Sequence, residues 1–449
     1  MRQRVARLAL TAGATVLAAL LLLTMCGTAG DDGEDGASGS TPRAATGTAA
    51  PPLTRLAVPG GYQPRPRWEL PDASLGYAIA PASGRIAQLE RVGPGRFRLR
   101  AFDIASGRPV WTGRPWHPPA SADRRSGPGA AVPRLLSVAK DGREYLVVWS
   151  FGTAGGDDVL TATETFVVLD VYDVETGGRQ RTELPWPTPP TVSGTGPGIL
   201  VGDGRTRNAV VDPATGEVTR VPETALAHPK GCAGCRRLTE VRGVTAKGLL
   251  LSGETGFWVR GGWYSGNTAP AGTDRASGVP TAVAPGRLLA KWRLAKGRKD
   301  APTHEVWAVH DTASGKPLVQ TRCQKPAIEP GEHPRAVLSP GGGHLVAGNL
   351  VFDLQRRKGR CVEPAGDSRP LTLTSVTDTG TAYGAIGARN APDALAGGGV
   401  PVELGPGSAT PRPLGPTVRL PGAEAAGVGV FGWTDTKDRL RLLGHPRRK

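Results

Sequence analysis

After residue 23 the chain has no long apolar run, and it lacks the sequence signatures of common catalytic and nucleotide-binding sites. The H-E-x-x-H zinc motif, the G-x-S-x-G nucleophile elbow and the phosphate-binding glycine loop are all absent. The seven histidines are scattered; only His304 and His310 share a strand face, where we expect partly exposed positions. No metal ligand set and no catalytic constellation are predicted.

The chain is instead rich in turn-forming residues. It contains 64 glycines and 42 prolines among 449 residues, and 39% of its residues are hydrophobic. The apolar residues fall in short clusters such as "YLVVW" (145–149) and "TFVVLDVYD" (165–173), bounded by Gly, Pro, Asp and Asn. Clusters of this length between turn residues are typical of β-strands. The composition predicts a turn-rich, all-β protein.

The N-terminus has the pattern of an export signal. Arg2, Arg4 and Arg7 precede an uncharged run over 8–23, as in a secretory signal peptide. The sequence "LTMCG" (23–27) resembles the lipobox of bacterial lipoproteins, which implies lipidation of Cys26, although Met25 departs from the small residue usual there. Two alternatives remain: cleavage at residues 27–29, or retention of the run as a short membrane anchor. All three place the rest of the chain outside the cytoplasm.

Cysteine usage and charge fit an extracytoplasmic protein. Four cysteines remain besides Cys26, and an even number in an exported chain predicts disulfides. Among the three possible pairings we favour Cys232 with Cys235 and Cys323 with Cys361. The net charge of +16 becomes +13 without residues 1–25, which carry three arginines and no acid. Outside the cytoplasm this charge favours anionic lipid head groups, phosphate-rich wall polymers or acidic proteins as partners, rather than nucleic acid.

Two small patterns recur after a Gly/Ser/Ala/Pro-rich tether over 26–64. One is a strand, an Asp, a Ser or Thr followed by Gly, and a second strand; the Asp stands at 103, 173, 212, 311 and, in a degenerate form, 353. The other is a turn nearer the start of each unit, as in "SVAKDGREYLVV" (137–148). Repeats of roughly 40 residues are typical of four-stranded propeller blades. The spacing predicts seven or eight blades over 65–449, closed by pairing of the C-terminal strands with a strand near 68–70.

The unit "AFDIASGRPVW" (101–111) resembles the repeat of the quinoprotein (pyrroloquinoline quinone-like) β-propeller superfamily, A-x-D-x-x-T-G-x-x-x-W, with Ser106 in place of Thr. That family contains quinone-dependent dehydrogenases and also non-enzymatic assembly factors and sensors. Its enzymes generally hold quinone and calcium in the central channel, often beside two adjacent cysteines. This chain has no adjacent cysteines and no evident calcium-binding cluster, so we expect no cofactor and a packing role for Trp111.

Two further stretches offer candidate sites. The spacing in "GCAGC" (231–235) suits a redox centre or half a zinc site, but a structural disulfide is favoured. In "ETGFWVRGGWYSGN" (254–267) we expect Phe257 and Trp258 to pack between blades, and Trp263 and Tyr264 are the candidates for ligand binding.

A run of cations in "KWRLAKGRKD" (291–300) is the candidate docking patch for an anionic surface. Its members are Lys291, Arg293, Lys296, Arg298 and Lys299. Strand alternation places Lys291 and Arg293 opposite Trp292; the alternative interpretation is a solvated hairpin. The leading hypothesis is an exported, membrane-tethered, non-catalytic propeller that binds protein or envelope partners. The alternative is a quinone- or metal-dependent oxidoreductase, or a hydrolase, with its site in the central channel.

Overall fold

The computed structural model describes residues 53–121, 131–153, 164–230, 232, 234–236, 238–326, 333–363 and 369–448. These residues belong to one compact unit, Pro52–Lys449. The predicted signal segment, Cys26 and the tether up to residue 52 lie outside the described residues.

Eight antiparallel sheets follow one another along the chain as the blades of a β-propeller, so the upper of the two predicted blade counts is confirmed. Blades 1 to 4 contain these strands: Tyr77–Ala80, Arg85–Gly93, Arg96–Asp103 and Pro109–Thr112 (blade 1); Ala120–Ser121, Arg134–Lys140, Arg143–Thr153, Thr165–Asp173 and Arg179–Pro185 (blade 2); Thr191–Ser193, Ile199–Gly202, Asn208–Val211 and Val218–Val221 (blade 3); Glu240–Thr245, Gly248–Gly253 and Gly256–Val259 (blade 4).

Blades 5 to 8 each have four strands: Val279–Ala284, Arg287–Arg293, His304–Asp311 and Pro317–Gln324 (blade 5); Val337–Leu338, His344–Ala347, Leu350–Asp353 and Lys358–Cys361 (blade 6); Leu371–Val376, Ala382–Ile386, Val400–Leu404 and Arg412–Pro413 (blade 7); Ala423–Ala425, Val428–Thr434, Leu440–Pro446 and Trp68–Leu70 (blade 8). One α-helix, Ala391–Ala396, interrupts blade 7, and short 3-10 helices occupy Glu223–Leu226, Gly234–Arg236 and Ser265–Asn267. Blade 4 thus has three strands and blade 2 has five.

The ring closes as the sequence predicts. Trp68–Leu70 pairs with the last strand of the chain, with Trp68 opposite Gly444 and Leu70 opposite Leu442. The packed region also includes residues before 65, because Tyr62 is buried and its hydroxyl donates a hydrogen bond to Glu424 at 2.7 Å. Closure of this kind removes the open sheet edge that a chain of separate blades would otherwise expose.

The Asp-to-Gly pattern forms the hairpin between the third and fourth strands of a blade. In blade 1, Asp103 accepts hydrogen bonds from the backbone N–H and the hydroxyl of Ser106. Gly107 follows with φ of 71°, in the left-handed region that favours glycine. Blades 2 and 5 repeat the arrangement with Asp173 and Thr176, and with Asp311 and Ser314. The recurring residues are therefore the turn chemistry of a scaffold.

Tryptophans connect successive blades by a repeated contact on this turn. Trp111, on the fourth strand of blade 1, donates its indole N–H to the carbonyl of Val174 in blade 2 at 2.9 Å. A methyl group added at Gly177 would lie 2.8 Å from the indole, so only glycine permits this approach. The structure therefore places Trp111 between blades, the packing position that the sequence predicts. Trp68 makes the same contact with Ile104 and Gly107.

Candidate binding surface at blades 4 and 5

Blade 4 departs most from the repeating pattern. Its fourth strand is reduced to one bridge, between Trp258 and Tyr264. Two open cavities lie on either side of this blade. Most of the residues singled out from the sequence also fall in blades 4 and 5. A shortened blade leaves the faces of its neighbours less completely covered, so this region of the ring differs physically from the rest.

The cysteines form the two pairs that the sequence favours. Cys232 and Cys235 form a disulfide with their Cα atoms 5.3 Å apart, and Cys235 is fully buried. A second disulfide joins Cys323 and Cys361, in the outer strands of blades 5 and 6, with Cα atoms 5.6 Å apart. Both disulfides indicate an oxidising environment. Their burial and packing are those of structural links.

Trp263 and Tyr264 lie in different surroundings. Trp263 donates its indole N–H to the carbonyl of Thr312 at 3.0 Å and lies against Gly315, so it repeats the contact of Trp111 three blades further along the chain. Tyr264 packs in the apolar cluster around the Cys232–Cys235 disulfide. Both side chains are only partly exposed and contact the protein itself. Phe257 and Trp258 are buried, as predicted.

His310 is fully buried, so its expected partial exposure is wrong; it faces blade 4 rather than solvent. Its Nδ1 lies 2.8 Å from the carbonyl oxygen of Gly315, and its Nε2 lies 3.3 Å from the indole N–H of Trp292. A carbonyl only accepts and an indole N–H only donates, so His310 is neutral with its proton on Nδ1. Burial lowers the pKa of His310 to about 4, and the bond to Gly315 opposes this shift.

The predicted cation patch forms part of a larger basic surface on blade 5. Arg293, Lys296, Arg298 and Lys299 are exposed, whereas Lys291 is half-buried on the sheet face opposite the fully buried Trp292. The outer strand of the blade adds Arg322, which the sequence analysis did not single out because its neighbours along the chain carry no pattern. We call the exposed set the blade 5 basic surface; its members are Arg293, Lys296, Arg298, Lys299 and Arg322.

Two acidic residues form ion pairs with members of this surface. Asp274 contacts Arg293 at 3.1 Å, and Asp300 contacts both Arg298, at 3.5 Å, and Arg322. Burial raises the pKa of Asp300, but a backbone hydrogen bond and the guanidinium groups of Arg322 and Arg298 outweigh it and hold the pKa below its usual value. The five cations thus exceed the two acids that pair with them, and the surface keeps a local positive charge.

A cavity of about 300 Å³ opens beside these arginines. Its lining consists of Ala271, Gly272, Leu294, Arg298, Val306, Gln320, Thr321 and Arg322. Leu294 and Val306 are almost fully buried and supply an apolar floor, whereas Arg298 and Arg322 are about half exposed, each at 51%. The cavity therefore joins an apolar surface to two positive groups.

The second cavity, of about 380 Å³, lies between blades 3 and 4. Its lining consists of Arg205, Thr206, Glu223, Thr224, Leu226, Ala227 and Thr239. Arg205 contacts Glu240 at 3.1 Å, so its charge is already matched by a neighbouring carboxylate. This cavity offers less unpaired charge than the one on blade 5.

The described first strands of the blades supply few donors for a quinone–calcium site. Their only carboxylates are Glu240, which contacts Arg205 and Arg242, and Glu424, which contacts Arg447 and Tyr62. Calcium takes six to eight oxygen ligands, with carboxylates prominent among them. No group of three or more His, Cys, Asp or Glu residues within the described ranges is placed to hold a metal ion. These residues do not fit that cofactor pair.

No protein-family model and no curated protein matches the chain. In the part of the chain that the structure describes, no helix is long and apolar enough to span a membrane. The evidence on function is therefore the propeller fold, its disulfides and the surface at blades 4 and 5.

Proposed function

We propose that this protein is an exported, membrane-tethered, non-catalytic β-propeller that binds an anionic protein or envelope component through the blade 5 basic surface. The N-terminal pattern supports export, with Cys26 as the candidate lipid anchor. The disulfides agree with an extracytoplasmic location. The resemblance of residues 101–111 to the quinoprotein repeat is compatible with a scaffold, because that superfamily includes non-enzymatic assembly factors.

The observation that carries this proposal is that two exposed cations of this surface, Arg298 and Arg322, line a partly apolar cavity. Arg298 lies in the loop between the second and third strands of blade 5 and Arg322 lies on its fourth strand, yet both line one cavity and both contact Asp300. The alternative interpretation, a solvated hairpin, explains neither the contribution of Arg322 from another strand nor the adjoining cavity. Clustered charges increase the rate of encounter with an oppositely charged partner, and this effect weakens as salt screens them.

Photo-crosslinking in the native cells tests the proposal. A photoreactive amino acid replaces Pro302, an exposed residue of the same hairpin, and captured molecules are identified by mass spectrometry. The test variant carries Lys296→Gln and Lys299→Gln. The matched control carries Arg356→Gln and Lys358→Gln, which removes two exposed charges from the turn of blade 6. Photochemistry is used because lysine-directed reagents would respond to the substitutions themselves.

We expect one reproducible anionic adduct, which the blade 5 variant loses and the blade 6 control retains. Raising the salt concentration is expected to reduce the yield as well. An adduct that survives in both variants, or the absence of any specific adduct, would contradict the proposed function.

A further inference from the structure

The blade 5 cavity exists because blade 4 is short. Gln320 and Arg322 lie on the fourth strand of blade 5, on the face opposite Cys323, whose disulfide reaches blade 6. The same face holds Trp292, which packs against Phe257 of blade 4 at 5.6 Å between ring centroids. A full fourth strand in blade 4 would extend over the outer part of this face. In its place the chain passes through Ala271 and Gly272, which form the far wall of the cavity.

The cavity combines two kinds of surface. Val306 lies directly opposite Arg322 in the strand pairing, so an apolar side chain and a guanidinium group stand side by side across the sheet. Leu294 extends the apolar floor, and Gln320 closes one side through a hydrogen bond from its amide to the carbonyl of Ala271 at 3.3 Å. A volume of about 300 Å³ equals roughly ten water molecules, which suits one or two side chains rather than a folded element.

Asp300 shows what the two arginines can hold. Its carboxylate lies between Arg298, which contacts it through Nε, and Arg322, which contacts it through Nη1. Each guanidinium group has five N–H donors, so both keep donors that Asp300 does not use. A guanidinium group can bind a planar carboxylate through two parallel hydrogen bonds. A second carboxylate from outside therefore has partners available at the cavity mouth.

We propose that this cavity binds an acidic peptide segment of a partner protein, with a side-chain carboxylate on Arg298 and Arg322 and a neighbouring aliphatic side chain on Leu294 and Val306. This inference rests on the proposed function and specifies its ligand. Lys296 and Lys299 attract the segment over a longer range, whereas the two arginines and the apolar floor hold it.

The apolar floor is the reason to favour a peptide over a phosphate polymer or a lipid head group. A polyol phosphate chain satisfies guanidinium groups, but each of its carbons bears an oxygen, so it has no aliphatic side chain to place on Leu294 and Val306. A peptide with alternating acidic and aliphatic residues covers both kinds of surface. Burial of a leucine side chain contributes a binding free energy comparable to that of a hydrogen bond with a charged group.

The test uses the purified full-length chain and three anionic probes. The first is a peptide, acetyl-Gly-Leu-Glu-Leu-Glu-Gly-amide, whose only charges are the glutamates; its binding is followed by isothermal titration calorimetry. The others are polyglycerol phosphate and phosphatidylglycerol vesicles. The protein variants are Arg322→Gln, in the cavity, and Arg356→Gln, the matched arginine on blade 6. Thermal unfolding of each variant confirms that it is folded.

We expect saturable binding of the peptide, weakened about tenfold by Arg322→Gln and changed less than twofold by Arg356→Gln. Replacing the peptide's glutamates with glutamine, or its leucines with serine, is expected to weaken binding by a similar factor. Equal effects of the two arginine variants, or no effect of the leucine change, would overturn the inference.

The probes also separate this inference from the proposed function. If polyglycerol phosphate or the vesicles bind in an Arg322-dependent manner and the peptide does not, the peptide inference fails while the basic surface remains a binding site. If no probe binds in an Arg322-dependent manner and the cells yield no adduct at the blade 5 hairpin, both proposals fail.

Discussion

The contact between blades 1 and 2 and the contact between blades 4 and 5 use the same turn and the same indole. Trp111 meets Gly177, and Trp263 meets Gly315; both glycines have φ of 71°. The surroundings differ. Trp111 stacks on Tyr172 with ring centroids 5.8 Å apart, whereas at blade 5 the residue before the turn is His310, which binds Trp292 instead. The tryptophan–glycine contact that both pairs of blades share therefore belongs to the scaffold. The residues that differ lie beside the short blade 4, the cavities and the blade 5 basic surface.

The disulfides give the largest expected effect. Replacing Cys323 and Cys361 with alanine opens a link that spans 38 residues and joins two blades, whereas Cys232 and Cys235 are three residues apart. Loop-closure entropy predicts losses in the free energy of unfolding of about 4 and about 2 kcal/mol. Denaturant unfolding of the two double variants measures this difference. Equal losses would show that the longer link does not restrict the unfolded chain as assumed.

The glycines under the indoles come next. Gly315→Ala and Gly177→Ala combine a left-handed backbone with a collision against tryptophan, so we expect each to lose about 3 kcal/mol. Gly342 is the matched control, because its φ is 68° and no atom lies within 4 Å of an added Cβ. Gly342→Ala is expected to lose about 1 kcal/mol. A Gly315→Ala variant as stable as Gly342→Ala would show that Trp263 is free to leave this contact and bind a ligand.

His310 makes the free energy of unfolding depend on pH in the acidic range, whereas Tyr172, which precedes the matching turn of blade 2, does not. Its pKa is about 4 in the folded chain and near 6.5 when unfolded, so above pH 6.5 it is neutral in both states and its contribution is fully present. As pH falls from 6.5 to 4 the unfolded chain binds the proton first, and stability decreases by at most about 3 kcal/mol. Denaturant unfolding across this range should show a steeper decrease for the natural chain than for His310→Phe combined with Trp292→Phe. Parallel curves would contradict the buried, neutral state of His310.

The surface charges give the smallest expected change in stability. Exposed ion pairs contribute less than about 1 kcal/mol, so Lys296→Gln with Lys299→Gln and Arg356→Gln with Lys358→Gln should both unfold near the natural midpoint. Only the blade 5 pair is expected to lose partner binding. A large loss of stability in the blade 5 variant would indicate that these lysines serve the fold.

The sequence by itself determined the all-β class, the hairpin turns at Asp103, Asp173 and Asp311, and the closure of the ring through Trp68–Leu70. The class and the turns follow because turn chemistry and strand alternation are local, and each residue type reports directly on the backbone at its position. The closure follows from the need to cover an open sheet edge. Composition left three cysteine pairings open, and the structure forms the two favoured pairs.

Only the tertiary structure decided what the divergent residues contact. Only the structure shows that Trp263, a candidate for ligand binding, contacts Thr312 and Gly315 in the turn of the next blade. Likewise, only the structure shows that His310 is buried against blade 4. Arg322, on the fourth strand of blade 5, lies near Arg298 of a preceding loop, and both contact Asp300. These contacts join residues far apart in the chain. The cavity lies where blade 4 has no full fourth strand, and the missing strand leaves no pattern in the sequence that could be recognised.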